Sequence, residues 1–247
     1  TSARRCLKSP SPTPSPTRGR RARGPASVRS VRQWMRWPAS TAFEFRKAPV
    51  RKERKPLKLH YKGPYNSDPA SLPHGEHKPN AVPFREAKDM KTLSQITNTG
   101  GFVLPLLLAV PVLIRCWVYI NTVNFAAGCL AALLALFPHE LLHAVCFKQD
   151  VYLYTNWKQG LLFVVGPEPM SKRRFILMCL LPNLLLGFLP YIVGLSFPQL
   201  VFLAAFGATC IGSGFGDYYN IINALTQMPK GAKTYLYQMH SFWYLPE

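Results

Sequence analysis

The sequence lacks any closely spaced pair of cysteines. Its six cysteines form no C-x-x-C pair, and five of them lie in apolar segments. A thiol in such a segment packs as a small hydrophobic group. We therefore predict neither a disulfide framework nor a cysteine-ligated zinc site.

Acidic residues are scarce, and the first hundred residues contain no long apolar run. Residues 1–100 hold 22 Lys and Arg against 6 Asp and Glu, whereas residues 101–247 hold 8 against 5. A segment so charged and so poor in apolar side chains is not expected to build a core. The net charge of +19 comes mainly from this part, so we expect no nucleic-acid partner from charge alone.

The N-terminal part divides into two segments of different composition. Residues 1–57 are rich in Pro, Ser and Arg, which predicts a disordered basic arm. Residues 58–100 contain several prolines, so we expect an irregular segment near the membrane. His74 and His77 lie three positions apart in this segment. We interpret them as surface histidines, although their spacing leaves a second metal site open.

All long apolar segments follow residue 100. They span residues 101–121, 124–147, 175–195 and 197–225. Each is long enough to cross a bilayer core of about 30 Å at a helical rise of about 1.5 Å per residue. The predicted fold class is therefore all-α, with a four-helix transmembrane bundle over residues 101–228 and a C-terminal tail over 229–247.

The distribution of Lys and Arg predicts the orientation in the membrane. Five of these cations lie in the 148–174 loop and two in the tail, whereas the loops 121–124 and 196–198 hold none. Cytoplasmic loops carry the excess of Lys and Arg. We therefore predict an integral membrane protein, of a bacterial cytoplasmic membrane, with both termini in the cytoplasm.

The pattern H-E-x-x-H occurs within the second apolar segment, at His139, Glu140 and His143. On a helix the two histidines share one face, where they can bind one Zn²⁺. Glu140 then lies beside the metal, placed to take a proton from a metal-bound water. An ordinary buried histidine pair is the alternative interpretation. Three ionisable side chains within five residues of a membrane segment are costly without a ligand, which favours the metal site.

A catalytic zinc site usually has three protein ligands and a water. The candidates for the third ligand are Asp217, Glu168, Asp150 and His240. Measured from the uncharged loops at about 1.5 Å per residue, His139 and His143 lie about 22–29 Å deep and Asp217 about 29 Å. This shared depth favours Asp217 over a role as a helix cap or interfacial carboxylate. Glu168, in the loop before the third segment, stays the alternative.

Two asparagines and Glu168 are further candidates for substrate contact or for support of the ligands. Asn220 lies one helical turn after Asp217, and Asn183 follows Pro182 in the third apolar segment. Asn220 also has an ordinary interpretation as a polar residue at a helix end.

His139-Glu140-Leu141-Leu142-His143, with the later Gly216-Asp217-x-x-Asn220 and about four crossings, resembles a family of small bacterial membrane proteins called "putative zincin peptidases". The chemistry is similar to that of intramembrane metalloproteases of the site-2 protease type. The resemblance covers roughly residues 59–245. Those proteases place their Asp before a Gly and after an Asn-Pro element, whereas here the order is Gly216-Asp217. The resemblance therefore implies zinc and hydrolysis more strongly than any substrate.

These observations predict a zinc-dependent, membrane-embedded peptidase that acts on a peptide or membrane-protein substrate. Three alternatives stay open at this stage. The chain is a non-catalytic adaptor, a small ion-handling transporter, or a membrane metallohydrolase for lipids or small molecules. The intact Glu140 disfavours the adaptor, and the lack of repeated broken helices disfavours the transporter.

Overall fold

The computed structural model describes residues 59–157 and 161–246. The predicted disordered arm, residues 1–57, lies outside the described residues. The described part is mostly helical and contains helices long and apolar enough to cross a membrane. The coarser prediction, a mostly helical protein with helices long and apolar enough to span a membrane, is thereby confirmed.

The first helix, α1, spans Met90–Arg115. It begins at Asp89, whose side chain accepts a hydrogen bond from the backbone N–H of Thr92, as an N-cap residue does. Pro105 and Pro111 lie inside this helix without ending it. The predicted start at residue 101 was wrong, because apolarity marks the membrane part of a helix whereas capping marks its beginning.

The second apolar segment forms two helices, α2 (Thr122–Leu134) and α3 (Leu136–Val145), which meet at an angle of 42°. Pro138 explains the break, because a proline ring clashes with the carbonyl four residues earlier, here that of Leu134. The missing N–H of Pro138 costs little, because it falls in the first turn of α3. The sequence therefore begins a new helix shortly before the H-E-x-x-H pattern.

The third apolar segment forms α4 (Lys172–Pro182), a π-helical turn (Asn183–Phe188) and α5 (Leu189–Ser196). These elements continue one another over 25 residues. A π-helical turn inside a longer helix is rare and is found often at functional sites.

The fourth apolar segment forms α6 (Val201–Ser213) and α7 (Phe215–Gln227), which are separated by Gly214. Helix α6 packs against α1, α2 and α5, and most of its side chains are buried. Its approach to α2 is close, because a Cβ on Gly128 would lie 2.5 Å from the carbonyl oxygen of Phe202. Small residues of this kind allow membrane helices to pack without a gap.

Two helical stretches meet the length and apolarity of a membrane span, Lys91–Arg115 and Lys172–Ser196. The bent pair α2–α3 is a third if it counts as one span, and α6 is apolar but short. The second and fourth apolar segments are each divided between two helices. By length and apolarity the described helices therefore provide two spans, or three with the bent pair.

The structure corrects the all-α fold class, because the described residues also form two β-sheets. The first has the order β1-β3-β4 and the second β2-β7-β6-β5. The strands are β1 Leu59–Pro64, β2 Val82–Pro83, β3 Val151–Asn156, β4 Leu161–Val165, β5 Met170–Ser171, β6 Lys233–Tyr237 and β7 His240–Tyr244. Strand β1 runs parallel to β3, and the other pairs are antiparallel.

The strands occupy the connecting segments that sequence analysis treated as loop, irregular segment and tail. Strand β3 is rich in aromatic and β-branched residues, which favour pleated structure. Strands β6 and β7 are joined by Gln238 and Met239, which have φ angles of 49° and 67°. Positive φ angles at both central residues are typical of a two-residue hairpin. These strands were not predicted, because they are short and lie outside the long apolar segments.

Candidate zinc site

The H-E-x-x-H pattern lies within α3, from its fourth residue, His139, to His143 in its last turn. His139 and His143 are both buried, each with 8% of its surface exposed. The ligand atoms of His139, Glu140 and His143 lie within 4.8 Å of one another, which makes these residues a possible metal-binding group. The i, i+4 spacing on a helix thus produces the arrangement expected from the sequence.

Asp217 of α7 reaches both histidines. Its Oδ2 lies 3.0 Å from Nε2 of His139, and its Oδ1 lies 3.2 Å from Nε2 of His143. The Asp217 side chain is 11% exposed. The structure therefore brings together the three residues that sequence analysis predicted as metal ligands.

The donor set of these three residues fits a zinc ion. Zinc binds imidazole nitrogen and carboxylate oxygen in a tetrahedral arrangement. The Nε2 atoms of His139 and His143 lie 3.0 and 3.2 Å from different oxygens of Asp217, so the carboxylate adjoins both imidazoles. Two imidazoles and one carboxylate also match the donor set of known catalytic zinc sites.

Helix α4 contacts this group from a third direction. Nδ1 of His143 is 2.9 Å from the backbone carbonyl oxygen of Met178. A histidine that donates from Nδ1 to a carbonyl has Nε2 free to bind a metal. The side-chain amide of Asn183 donates to Oδ2 of Asp217 at 2.7 Å. Asn183, which was a candidate for a supporting role from the sequence, thus contacts the carboxylate of Asp217.

Glu140 lies between the histidines and the first sheet. Its carboxylate is beside the backbone amide of Val164 in strand β4. It lines the same cleft as His139 and Asp217. This places its oxygens next to the metal-binding group while leaving them open to the cleft.

The cleft has a volume of about 510 Å³. Its walls come from α1, the α2–α3 pair, α4, β4, α6 and α7. Polar side chains lie along the walls formed by α1, α6 and α7, and apolar side chains form most of the rest. The polar members besides the H-E-x-x-H residues are Thr97, Asn98, Thr209, Ser213, Asp217 and Asn220.

Asn220 lines the cleft one turn after Asp217. Within the described residues its side chain has no hydrogen-bond partner. A half-buried amide without a partner is available for a ligand. The structure thus keeps Asn220 as a candidate for substrate contact.

The other candidates for the third ligand lie elsewhere. Glu168 accepts hydrogen bonds from the backbone N–H groups of Lys148 and Gln149 and forms an ion pair with Arg174. These contacts fix the chain that follows α3 and occupy its carboxylate. Asp150 is 3.5 Å from His60.

The remaining histidines also have partners outside the cleft. Nδ1 of His240 is 3.9 Å from Glu86. His74 and His77 each pack against the ring of Tyr237 with centroids 4.7 Å apart, and Nδ1 of His77 is 3.0 Å from the hydroxyl of Tyr235. Among the described residues, His139, Glu140 and His143 are the group of side chains that could hold a metal ion, and Asp217 adjoins its two histidines.

Three contributors to the site were not predicted from the sequence. The carbonyl of Met178 carries no sequence signal, because every residue has one. Strand β4 was hidden in a segment treated as loop. Tyr218, whose hydroxyl donates to Oδ1 of Asn183 at 3.0 Å, had a weak signal in its position next to Asp217.

Comparisons with known proteins agree with this geometry. No curated protein and no solved structure matches the chain significantly. A family model does match, over somewhat less than half of the chain. The matched segment contains the metal-binding group of α3 and also Asp217. Residues 132–233 thus match the family described as "Putative zincin peptidase", as the H-E-x-x-H pattern predicted.

Proposed function

We propose that this protein is a zinc-dependent peptidase whose active site lies within a membrane-embedded helical domain. The observation that carries the proposal is the convergence of three side chains. The Nε2 atoms of His139 and His143 face the two oxygens of Asp217 at 3.0 and 3.2 Å. The family match over residues 132–233 independently favours the zincin class.

In this proposal His139, His143 and Asp217 hold Zn²⁺. Zn²⁺ held there would supply a Lewis acid that lowers the pKa of a water molecule and polarises the scissile carbonyl. Glu140 takes the proton of the attacking water and then passes it to the leaving amine. Its position beside the histidines, with access to the cleft, supports this role. Asn220 would bind a main-chain group of the substrate.

Strand β4 supports a peptide substrate over a lipid. It is an outer strand of its sheet, because it pairs with β3 on one side and the order is β1-β3-β4. Leu162, Phe163 and Val164 of this strand line the cleft beside Glu140. An extended peptide pairs readily with such an edge, because main-chain hydrogen bonds are available along it.

The helices support a membrane setting. Only 6% of the most apolar part of α1 is buried inside the protein. The side chains of Phe102, Leu106 and Ile114 in this helix are largely exposed. Exposed apolar surface of this extent is expected to face lipid. We propose that α1, α2–α3, α4–α5 and α6–α7 cross the bilayer in turn. The substrate is then a peptide or a membrane protein whose scissile segment unwinds into an extended form.

Two of the rival functions make different predictions. A non-catalytic adaptor has no need of Glu140, and a transporter needs polar groups that lead through the bilayer. The family match favours neither of them. A lipid hydrolase would use the same zinc site, so only the substrate separates it from a peptidase.

The decisive experiment uses the purified full chain in detergent or lipid nanodiscs. Cleavage of a set of membrane-derived peptides is measured for the wild type and for Glu140→Gln. We expect cleavage by the wild type, its loss after chelation, its return with zinc, and a loss of at least a hundredfold in Glu140→Gln. Equal cleavage by both proteins would exclude the proposed mechanism. Hydrolysis of lipid esters in place of peptides would identify the lipid hydrolase.

A further inference from the structure

Helix α4 and the π-helical turn that continues it supply none of the three proposed ligands, yet together they contact two of them. The carbonyl oxygen of Met178 accepts the hydrogen bond of His143 Nδ1 at 2.9 Å. Five residues later, Asn183 donates to Asp217 at 2.7 Å. One helix therefore holds a histidine of α3 and a carboxylate of α7.

The orientation of the Asn183 amide is fixed by a full set of partners. Its Nδ2 donates to Asp217 Oδ2 and also to the carbonyl oxygen of Cys179, at 2.8 Å. Its Oδ1 accepts from the hydroxyl of Tyr218 at 3.0 Å. Asn183 is 1% exposed. With both amide hydrogens and the oxygen bonded to partners, the flipped amide is excluded.

The carboxylate of Asp217 is held asymmetrically. Oδ2 receives the hydrogen bond of Asn183 and lies near His139, whereas Oδ1 lies near His143. A ligating carboxylate is commonly hydrogen-bonded through groups beyond the metal, and these groups orient it. The Asn183 amide fits this part because it can donate and carries no charge.

Gly214 creates the space that Asn183 occupies. A Cβ at position 214 would lie 1.7 Å from Oδ1 of Asn183. The φ angle of Gly214 is −80°, which any residue can adopt, so glycine is needed here for space alone. At Gly216 the same Cβ would meet only Thr97, at an ordinary 3.5 Å.

The π-helical turn begins at Asn183 itself. Such a turn inserts an extra residue into a helix and changes the direction of its side chains. This is where α4 approaches α7 at the level of Asp217. An apolar residue of the same size would fill this space but would leave the Tyr218 hydroxyl and Oδ2 of Asp217 without this partner, so the hydrogen bonds of the amide, and not packing alone, account for an asparagine here.

We propose that α4 and the π-helical turn that continues it are the outer shell of the zinc site, with the Met178 carbonyl and the Asn183 amide as positioning groups and Gly214 leaving the space that Asn183 occupies. This inference rests on the proposed zinc function. It adds that the affinity for zinc depends on a helix that contains no ligand. Asn183 is a positioning residue, because it acts through Asp217.

The test is the zinc affinity of the purified full chain, measured by competition with a chelator of known affinity. Asn183→Leu removes the amide at nearly constant size, and Gly214→Ala displaces it from the opposite side. There are two matched controls. Asn223→Leu replaces a half-buried asparagine of α7, and Gly216→Ala replaces a glycine that does not contact Asn183. Thermal unfolding of each zinc-free variant reports on packing separately.

We expect Asn183→Leu and Gly214→Ala to bind zinc roughly 10–100-fold more weakly, while both controls keep the affinity of the wild type. Since Gly214→Ala retains the asparagine, it provides the test if Asn183→Leu fails to fold. Unchanged affinity in these two variants, even with lower thermal stability, would show a purely structural role and overturn the inference. Equal losses in the controls would overturn it as well.

These outcomes separate the inference from the function on which it rests. If the wild type binds no zinc, the proposed function fails before the variants are compared. If the wild type binds zinc and cleaves peptides but Asn183→Leu retains full affinity, only the outer-shell inference fails.

Discussion

His139 and Asp217 are 78 positions apart in the sequence, yet His139 Nε2 and Asp217 Oδ2 are separated by only 3.0 Å. Each residue lies in the first turn of a helix that begins just after a break. The backbone N–H of His139 bonds to the carbonyl of Ala135, and that of Asp217 bonds to the carbonyl of Gly214. The breaks after α2 and α6 therefore bring two helix starts together at one point.

This arrangement also suits the charge of Asp217. The first turn of a helix carries unpaired N–H groups and a partial positive charge, which stabilise a carboxylate. The contact with Asn183 adds a further donor. A buried carboxylate between two imidazoles is thus supported on several sides, as a buried charge requires.

The first prediction concerns the metal ligands. His139→Ala, His143→Ala and Asp217→Ala should each lower zinc affinity by at least tenfold, because loss of a direct ligand costs no less than loss of a supporting group. Glu140→Gln should retain zinc, because its proposed role is only to transfer protons. The measurement is zinc content per protein after dialysis against buffered zinc.

Glu168→Ala is the matched control for Asp217→Ala, because its carboxylate bonds to Lys148, Gln149 and Arg174 instead of facing the histidines. It should keep its zinc. Zinc loss in Glu168→Ala together with full zinc in Asp217→Ala would assign the third ligand to the 148–174 segment and contradict our ligand set.

The second prediction concerns the ion pair of Glu168 and Arg174. The Glu168 side chain is 5% exposed, and Arg174 also donates from Nε to the carbonyl of Cys146. Removing one partner of a buried pair commonly costs about 3–5 kcal/mol. Arg174→Met should therefore lower the thermal unfolding temperature clearly, whereas Arg173→Met, at the neighbouring position, should not. Equal stability of the two variants would show that the pair contributes little.

The third prediction is a pH dependence that arises outside the helical spans. Burial raises the pKa of Glu86 above its ordinary value of 4.5, and the backbone N–H of Ser241 offsets this only in part. Its ionised form is therefore less favourable in the folded protein than in the unfolded chain. Stability should fall as the pH rises from 4.5 through the raised pKa.

Glu86→Gln isolates this effect, because its side-chain oxygen can still accept from Ser241 without a charge. Below pH 4.5 the two proteins should have similar unfolding temperatures, and above it the variant should become the more stable one. Thermal unfolding from pH 4 to pH 8 measures the difference. A wild type that gains stability over the variant as the pH rises would reverse the sign and refute this account.

The fourth prediction concerns topology. Single cysteines at Asp150 and Lys230 should resist a membrane-impermeant thiol reagent in intact cells, whereas one at Ser196 should react. The reason is that, in the proposed arrangement, the cations of the 148–174 segment and of the tail favour a cytoplasmic location for those parts. Arg115 ends α1 at the opposite side, and a helix-end arginine reaches the interface there. Labelling at Asp150 from outside would exclude four crossings.

The fifth prediction concerns the basic arm, which lies outside the described residues. Deleting residues 1–57 should leave membrane insertion and zinc content unchanged, because the site is built from residues 97–220. The measurement is zinc per protein in the membrane fraction. A zinc-free deletion variant would show that the arm contributes to the site.

The local chemistry was predictable from the sequence. The i, i+4 histidines and Glu140 need only one helix, and the helical period places them on one face. Apolar run lengths likewise predicted helices long enough to span a membrane. The equal depth of Asp217 and the histidines followed from a constant rise per residue, and the structure brings these side chains together.

Other features were decided by tertiary structure. The strands escaped prediction because their short pattern gains stability only when distant segments pair, as β1 does with β3. The helix break at Gly214 was hidden inside an apolar run, whereas Pro138 was a local signal for the break at Ala135.

The sequence by itself determined which side chains can bind zinc and which segments prefer lipid, because both depend on residue type and local spacing. Only the tertiary structure decided how the ligands are held. The hydrogen bonds from His143 to Met178 and from Asn183 to Asp217 join three helices. Such bonds depend on how the helices pack, and packing brings together groups that no local pattern relates.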